Sequence, residues 1–160
     1  MIVRQVKRDD GQPLLAFMRD MVTEPNIGIP IAADEVSLDI NDFVDKPRAA
    51  MFVADHEGMI VGQLSLRPVS QRRATFHITT LAMAVHRDWR RRGVGRALMA
   101  EAIEWAPIAG YTRIQLDVYE RNTAAIRLYE QFGFQHEGRR NRFVREGDTY
   151  LDCLFMARLL

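Results

Sequence analysis

The chain has 160 residues, 48% hydrophobic and 27% charged, which is the size and balance of one soluble domain with its own core. Its 22 basic and 21 acidic residues leave a net charge of +1, so no global field draws it to nucleic acid or an anionic membrane. A single cysteine, Cys153, excludes an internal disulfide framework, and no apolar run suits a signal peptide or a membrane span, which fits a cytoplasmic protein.

Alternating apolar and polar residues predict a first strand over 2–7, stopped by Asp9-Asp10-Gly11, whose aspartates are expected to cap the next helix. Leu14, Leu15, Met18, Met21 and Val22 recur at helical spacing and predict that helix over 11–23. Glu24-Pro25-Asn26 ends it, and Gly28-Ile29-Pro30 continues an irregular loop. A short helix is expected over 34–45, with Leu38, Ile40 and Phe43 on its apolar side. Strands over 51–55 and 59–66 flank His56-Glu57-Gly58, a hairpin signal, and a longer strand runs over 75–85. The following helix carries Val94, Leu98, Ala102 and Trp105 on one stripe and stops at Gly110. A strand over 113–118 leads to a helix over 122–132, ended by Gly133. Two last strands, over 134–145 and 149–158, meet across Glu146-Gly147-Asp148. This order predicts one α/β domain over 1–160, a mixed sheet with helices on its faces.

The chemistry concentrates between the strand ending at Val85 and the helix after it, in Arg90-Arg91-Arg92-Gly93-Val94-Gly95-Arg96-Ala97. A helix N-terminus leaves backbone N–H groups without intrahelical partners, and its dipole favours negative charge. Glycines let an anion approach the backbone, and arginines add forked cationic donors. The turn is therefore built for a pyrophosphate. A P-loop needs four residues between its glycines, and here only Val94 separates Gly93 from Gly95. A dinucleotide fingerprint needs a third small residue where Leu98 stands, although Asp117 lies about 20 residues on, as a ribose-binding acid would. The pattern R-x-x-G-x-G, from Arg90 to Gly95, fits without departure. A solvated arginine face would leave both glycines, which cost stability in a helical first turn, unexplained.

Downstream, Asn122 opens a helix that closes with Leu128-Tyr129-Glu130-Gln131-Phe132-Gly133-Phe134. Asn122 and Tyr129 stand seven residues apart, close to two turns, and so project from one side. Taken with the arginine–glycine turn, the chain resembles the GCN5-related N-acetyltransferase (GNAT) superfamily over nearly its whole length. That resemblance implies acetyl-CoA as the donor, a mostly antiparallel sheet, and a strand splay at the cofactor site. Backbone amides from Arg91 to Arg96, with Arg92, Gly93, Val94 and Gly95 between them and Arg90 just before, would wrap the pyrophosphate. The strand edge near Met83 and Val85 would pair with the pantetheine arm, Asn122 would touch that arm, and Tyr129 would face the thioester sulfur. Asparagine is also a plain helix N-cap, and a tyrosine also fills cores.

The implied reaction is direct transfer of an acetyl group to a primary amine within a ternary complex. Amines attack when neutral, so a proton must be accepted, and the departing thiolate must be protonated by Tyr129. His77, on the strand leading to the cofactor, is a candidate base beside a water relay to a distant carboxylate. Cys153, on an alternating terminal strand, is expected to be packed rather than nucleophilic. The acceptor pocket is expected from the loop around 23–34 and the final hairpin, with Glu24, Tyr150 and Asp152 as substrate-binding residues; Asp34 and Glu35 add negative charge. The acceptor is a small-molecule amine or a peptide N-terminus, with no metal and no membrane partner. A homodimer is common in the superfamily, and nothing in the sequence fixes an interface. Two other classes compete. A non-catalytic acyl-CoA-binding module would keep Gly93 and Gly95 and dispense with Tyr129; a nucleic-acid-binding domain would use the arginine cluster, and balanced charge argues against it.

Overall fold

The computed structural model describes residues 1–24 and 35–160. Strand β1 (Ile2–Gln5) leads into helix α1 (Gly11–Val22), followed by a hairpin of β2 (Ala50–His56) and β3 (Met59–Pro68). Then come β4 (Ile78–Val85), α2 (Val94–Ile108), β5 (Arg113–Tyr119), α3 (Thr123–Gln131) and a second hairpin, β6 (Gln135–Glu146) and β7 (Thr149–Leu159). The strands form one seven-stranded sheet in the order β1-β2-β3-β4-β5-β7-β6. All neighbours are antiparallel except β4 and β5, so the mixed, mostly antiparallel α/β sheet is the one expected.

The two faces of the sheet carry different cores because strand side chains alternate. Phe52 and Ala54 of β2 join Leu64, Leu66, Leu116 and Met156 beneath Val94, Leu98, Ala102 and Ala106 of α2. Met51 and Val53 turn the other way, onto Leu14, Phe17 and Met21 of α1. Each fully buried leucine or methionine contributes about 1.5–3 kcal/mol, which fixes both helices firmly to the sheet. No helix among the described residues is long and apolar enough to cross a membrane.

Three expectations are corrected locally. The helix over 34–45 is not formed among its described residues beyond one 3-10 turn, Ile40–Asp42. The Asp39 carboxylate accepts the Asn41 N–H at 2.9 Å, and such side-chain bonds compete with helix continuation. Asp10 does not cap α1; its carboxylate accepts the Lys7 N–H at 2.6 Å and pairs with Arg4 at 2.7 Å, tying β1 to the start of the helix. The long strand expected over 75–85 begins only at Ile78, because a 3-10 turn, Arg73–Thr75, occupies its expected start.

The parallel junction decides where function is housed. β4 and β5 pair at three positions only, Ile78↔Arg113, Thr79↔Ile114 and Thr80↔Gln115. Beyond them β4 stays with β3 and β5 stays with β7, so the two strands diverge. Residues 81–85 therefore present a strand edge without a ladder partner.

Candidate active site

The diverging strands open a cleft of about 800 Å³, walled by residues 81–85, the turn after β4, the start of α2 and one side of α3. In the turn, Arg91 and Gly93 both have left-handed backbones, with φ of 61° and 83°. Glycine carries that geometry freely, whereas arginine does so at a cost, and such strain collects where a loop must hold a ligand. The reversal starts α2 facing the cleft. Its first helical bond runs from the Ala97 N–H to the Gly93 carbonyl at 3.0 Å, so the N–H groups of Val94, Gly95 and Arg96 precede it without helical acceptors. A Cβ at Gly95 would lie 3.0 Å from Leu128 Cδ2, which shows that glycine here lets α3 close against α2.

Some of the arginines brace the turn and some line the cleft, and Arg90 does both. Arg90 is a brace: its Nε donates to the Val85 carbonyl at 3.0 Å, and its Nη2 donates to Glu24 at the end of α1. Arg87 meets the same carboxylate at 3.4 Å. Glu24 is thus committed to two arginines, with a side chain 8% exposed, and does not line the cleft as the sequence reading expected. Arg92 lies over the Trp89 ring, 5.3 Å from its centroid, and also misses the cleft. Arg90, Arg91 and Arg96 line it, as do Met83, Val85, Gly93, Val94 and Gly95. Arg127, one side of α3, adds a cation that the sequence reading missed.

Asn122 and Tyr129 both line the cleft. The Asn122 side chain accepts the Ala125 N–H at 3.2 Å, so it caps α3 from a position on the cleft wall. Tyr129 is 6% exposed, packs on Phe134 at 5.8 Å between ring centroids, and its hydroxyl has no hydrogen-bond partner among the described residues. Burial pushes its pKa up to about 12, so the hydroxyl stays protonated across the working range.

On the opposite wall stands Asp117 of β5, an exposed residue, with Tyr119, Cys153, Phe143 and Val144 also lining the cleft. Burial raises the Asp117 carboxyl above its ordinary range, and the Arg140 guanidinium, 3.0 Å away through Nε, partly opposes that rise. Burial also raises the Cys153 thiol, which keeps it protonated and fits a packed residue. Asp117 escaped the sequence reading as a cleft residue. Its signal was an acid set among Ile114, Leu116 and Val118 on a strand that enters the splay.

Three further expected site residues lie elsewhere. His77 is exposed in the turn before β4, where its carbonyl accepts the Thr112 N–H at 3.0 Å. That is the paired end of the junction, about 20 Å along the strand from Met83, so His77 is not brought to the cleft. Tyr150 and Asp152 alternate with Cys153 and so face away from it, lining a separate hollow of about 230 Å³ with Glu120, Arg121 and Leu151. The Asp152 carboxylate is filled by Arg139 and the Arg142 N–H, both at 2.6 Å, while Tyr150 lies under Arg142 at 4.1 Å. Of the expected acceptor loop, 25–34 including Asp34 lie outside the described residues; the final hairpin does reach the cleft through Phe143, Val144 and Cys153.

An unpaired strand edge, a helix start with free N–H groups, flanking cations and a protonated hydroxyl together suit a long ligand with an anionic end and an amide-bearing arm. A family model described as the acetyltransferase (GNAT) family matches residues 15–134. An L-amino acid N-acetyltransferase, AaaT, of Escherichia coli is 34% identical over 119 residues, 72% of this chain and 71% of that protein. Among solved structures, a GNAT-family acetyltransferase from Streptococcus pneumoniae is 28% identical with a TM-score of 0.89, covering 99% of this chain and 98% of that one. A ribosomal-protein-alanine N-acetyltransferase from Brucella melitensis is 27% identical with a TM-score of 0.87, covering 100% of both chains.

Proposed function

Because the chain belongs to the acetyltransferase (GNAT) family, we propose that Tyr129 and Asp117 handle the protons while its cleft moves an acetyl group from coenzyme A to a primary amine. The chain is an acetyl-CoA-dependent N-acetyltransferase. Residues 1–160 serve as one catalytic domain. What carries the residue-level reading is one relationship: the strands pair at only three positions, and the resulting gap has the Tyr129 ring on one wall and the Asp117 carboxylate on another.

The free N–H groups of Val94, Gly95 and Arg96 hold the pyrophosphate, with Arg91, Arg96 and Arg127 supplying charge. The open edge of 81–85 accepts and donates hydrogen bonds along the pantetheine arm, and Met83 and Asn122 flank it. Arg90 acts at one remove, by holding the end of that edge at Val85. When bound, acetyl-CoA supplies an acetyl group activated as a thioester. Asp117 takes the proton that the amine sheds as its nitrogen bonds the acetyl carbon, and Tyr129 gives its proton to the sulfur as the carbon–sulfur bond breaks. A buried tyrosine with a raised pKa can do so because the same dry surroundings also disfavour the thiolate anion.

The acceptor is an α-amine. The E. coli relative is named for L-amino acids and the Brucella neighbour for a ribosomal-protein alanine, and an α-amine suits both names. An amine panel with acetyl-CoA, read by release of free thiol, tests the activity. Transfer to α-amines is expected, with coenzyme A raising the melting temperature. Absence of both thiol release and thermal stabilisation overturns the reading.

A further inference from the structure

Resting on the reading that Asp117 faces the acceptor amine, we propose that Arg140 binds a carboxylate on the same acceptor, which makes the substrate a free α-amino acid rather than a peptide N-terminus. Arg140 pairs in register with Cys153, and Asp117 pairs with Phe155, so all four share one face of the sheet; Asp117 and Cys153 line the cleft, and Arg140 and Phe155 lie next to them, outside its lining. The Arg140 guanidinium lies between two aromatic rings, 4.8 Å from Phe143 and 4.9 Å from Phe155. Such stacking holds the guanidinium plane while leaving its edges free for hydrogen bonds. One edge is used, since Nε meets Asp117 Oδ1 at 3.0 Å. The two Nη groups have no partner among the described residues. By contrast, Arg113 on the same face is filled by Glu137, and Arg139 is filled by Glu120 and Asp152.

The location is built into the backbone. Between Arg140↔Cys153 and Val144↔Leu151, β6 spends four steps against two on β7. The extra residues form a bulge in which Arg142 has a φ of 53°, and the Arg142 N–H is held by Asp152. That bulge brings Phe143 beside Arg140. A carboxylate two bonds from an amine matches a cationic fork set directly beside an anionic proton acceptor. A peptide N-terminus offers only a neutral carbonyl there, and a polyamine brings a like charge that the guanidinium repels.

The test compares L-amino acids with their α-carboxamides at saturating acetyl-CoA. Wild-type kcat/KM is expected to favour the acids by roughly 10- to 100-fold, the value of a forked charge-assisted contact. In Arg140→Gln that ratio is expected to fall to within a few-fold. The ratio is the informative quantity, because loss of Arg140 also alters Asp117 and shifts both substrates together. A second readout is calorimetric binding of N-acetyl-L-amino acids to the coenzyme A complex, which should weaken by the same factor in the variant. A wild-type ratio near one, equal use of short peptides, or a ratio preserved in Arg140→Gln overturns the carboxylate site while leaving N-acetylation intact. Arg140-dependent binding with no transfer to any amine instead overturns the proposed proton roles and keeps the site. Because the wild-type ratio needs no variant, the proposal is decided even if Arg140→Gln fails to fold.

Discussion

Arg90 and Glu24 form an ion pair that joins the turn after β4 to the end of α1. The charge expected to meet a phosphate is thereby neutralised, and the same guanidinium fixes the Val85 carbonyl. Glu24 is largely covered while Arg90 is 45% exposed, so solvent screens part of the interaction. Glu24→Gln is expected to cost about 1 kcal/mol of stability. If that loss falls wholly on the shape of the turn, the acetyl-CoA KM rises about fivefold. kcat should change little, which steady-state kinetics checks. A large fall in kcat with unchanged KM would place Glu24 at the acceptor after all.

Tyr129→Phe removes a hydroxyl that has no structural partner among the described residues, so the fold should tolerate it. A general acid is worth roughly 100-fold or more in rate, and kcat is expected to fall by about that much. Acetyl-CoA affinity, measured by calorimetry, should stay within a few-fold. With a pKa near 12, the hydroxyl imposes no alkaline limb on the wild-type profile below that pH. A wild-type rate in the variant would remove Tyr129 from proton transfer.

Asp117 sets the acid side of the profile. It accepts a proton only when ionised, burial raises its pKa, and Arg140 lowers it again. With both substrates saturating, kcat is therefore expected to fall as pH drops through that raised pKa. Arg140→Gln takes away the neighbouring positive charge, raises the pKa further, and should move this limb to higher pH. Asp117→Asn should lower kcat about 100-fold and abolish the limb. A limb that stays in place in both variants would assign the base to another group.

What could be read from the sequence was local in the chain. Gly93, Gly95, Asn122 and Tyr129 sit in two short stretches whose spacing carries their geometry, and all four reach the cleft. Residues whose partners lie far away were misread. Glu24 is answered by Arg90, 66 residues on, and Asp152 by a bulge in the neighbouring strand. His77 was misplaced because three residues of 3-10 turn shortened its strand and left it at the paired end of the junction. Asp117 needed the three-position pairing of β4 and β5, which no pattern within either strand encodes.

The two glycines of the turn should fail in different ways when replaced by alanine. Gly93 has open space around it and a φ of 83°, so Gly93→Ala meets only backbone strain. That strain is about 1 kcal/mol, or roughly 2–4 °C in melting temperature for a chain of this size. Gly95 has no such φ and sits in the first turn of α2, where alanine gains helix propensity, up to about 1 kcal/mol. Its new Cβ would crowd Leu128 Cδ2 at 3.0 Å and approach Met83 Cε at 3.7 Å. Both side chains line the cleft and can yield only by moving into it or along it. Gly95→Ala should therefore leave the melting temperature nearly unchanged while weakening acetyl-CoA binding, on the order of tenfold for about 1.4 kcal/mol of lost fit. Thermal melts with and without acetyl-CoA separate the two outcomes. A destabilised Gly95→Ala that binds normally would mean that Gly95 serves packing between α2 and α3 and not the shape of the donor site.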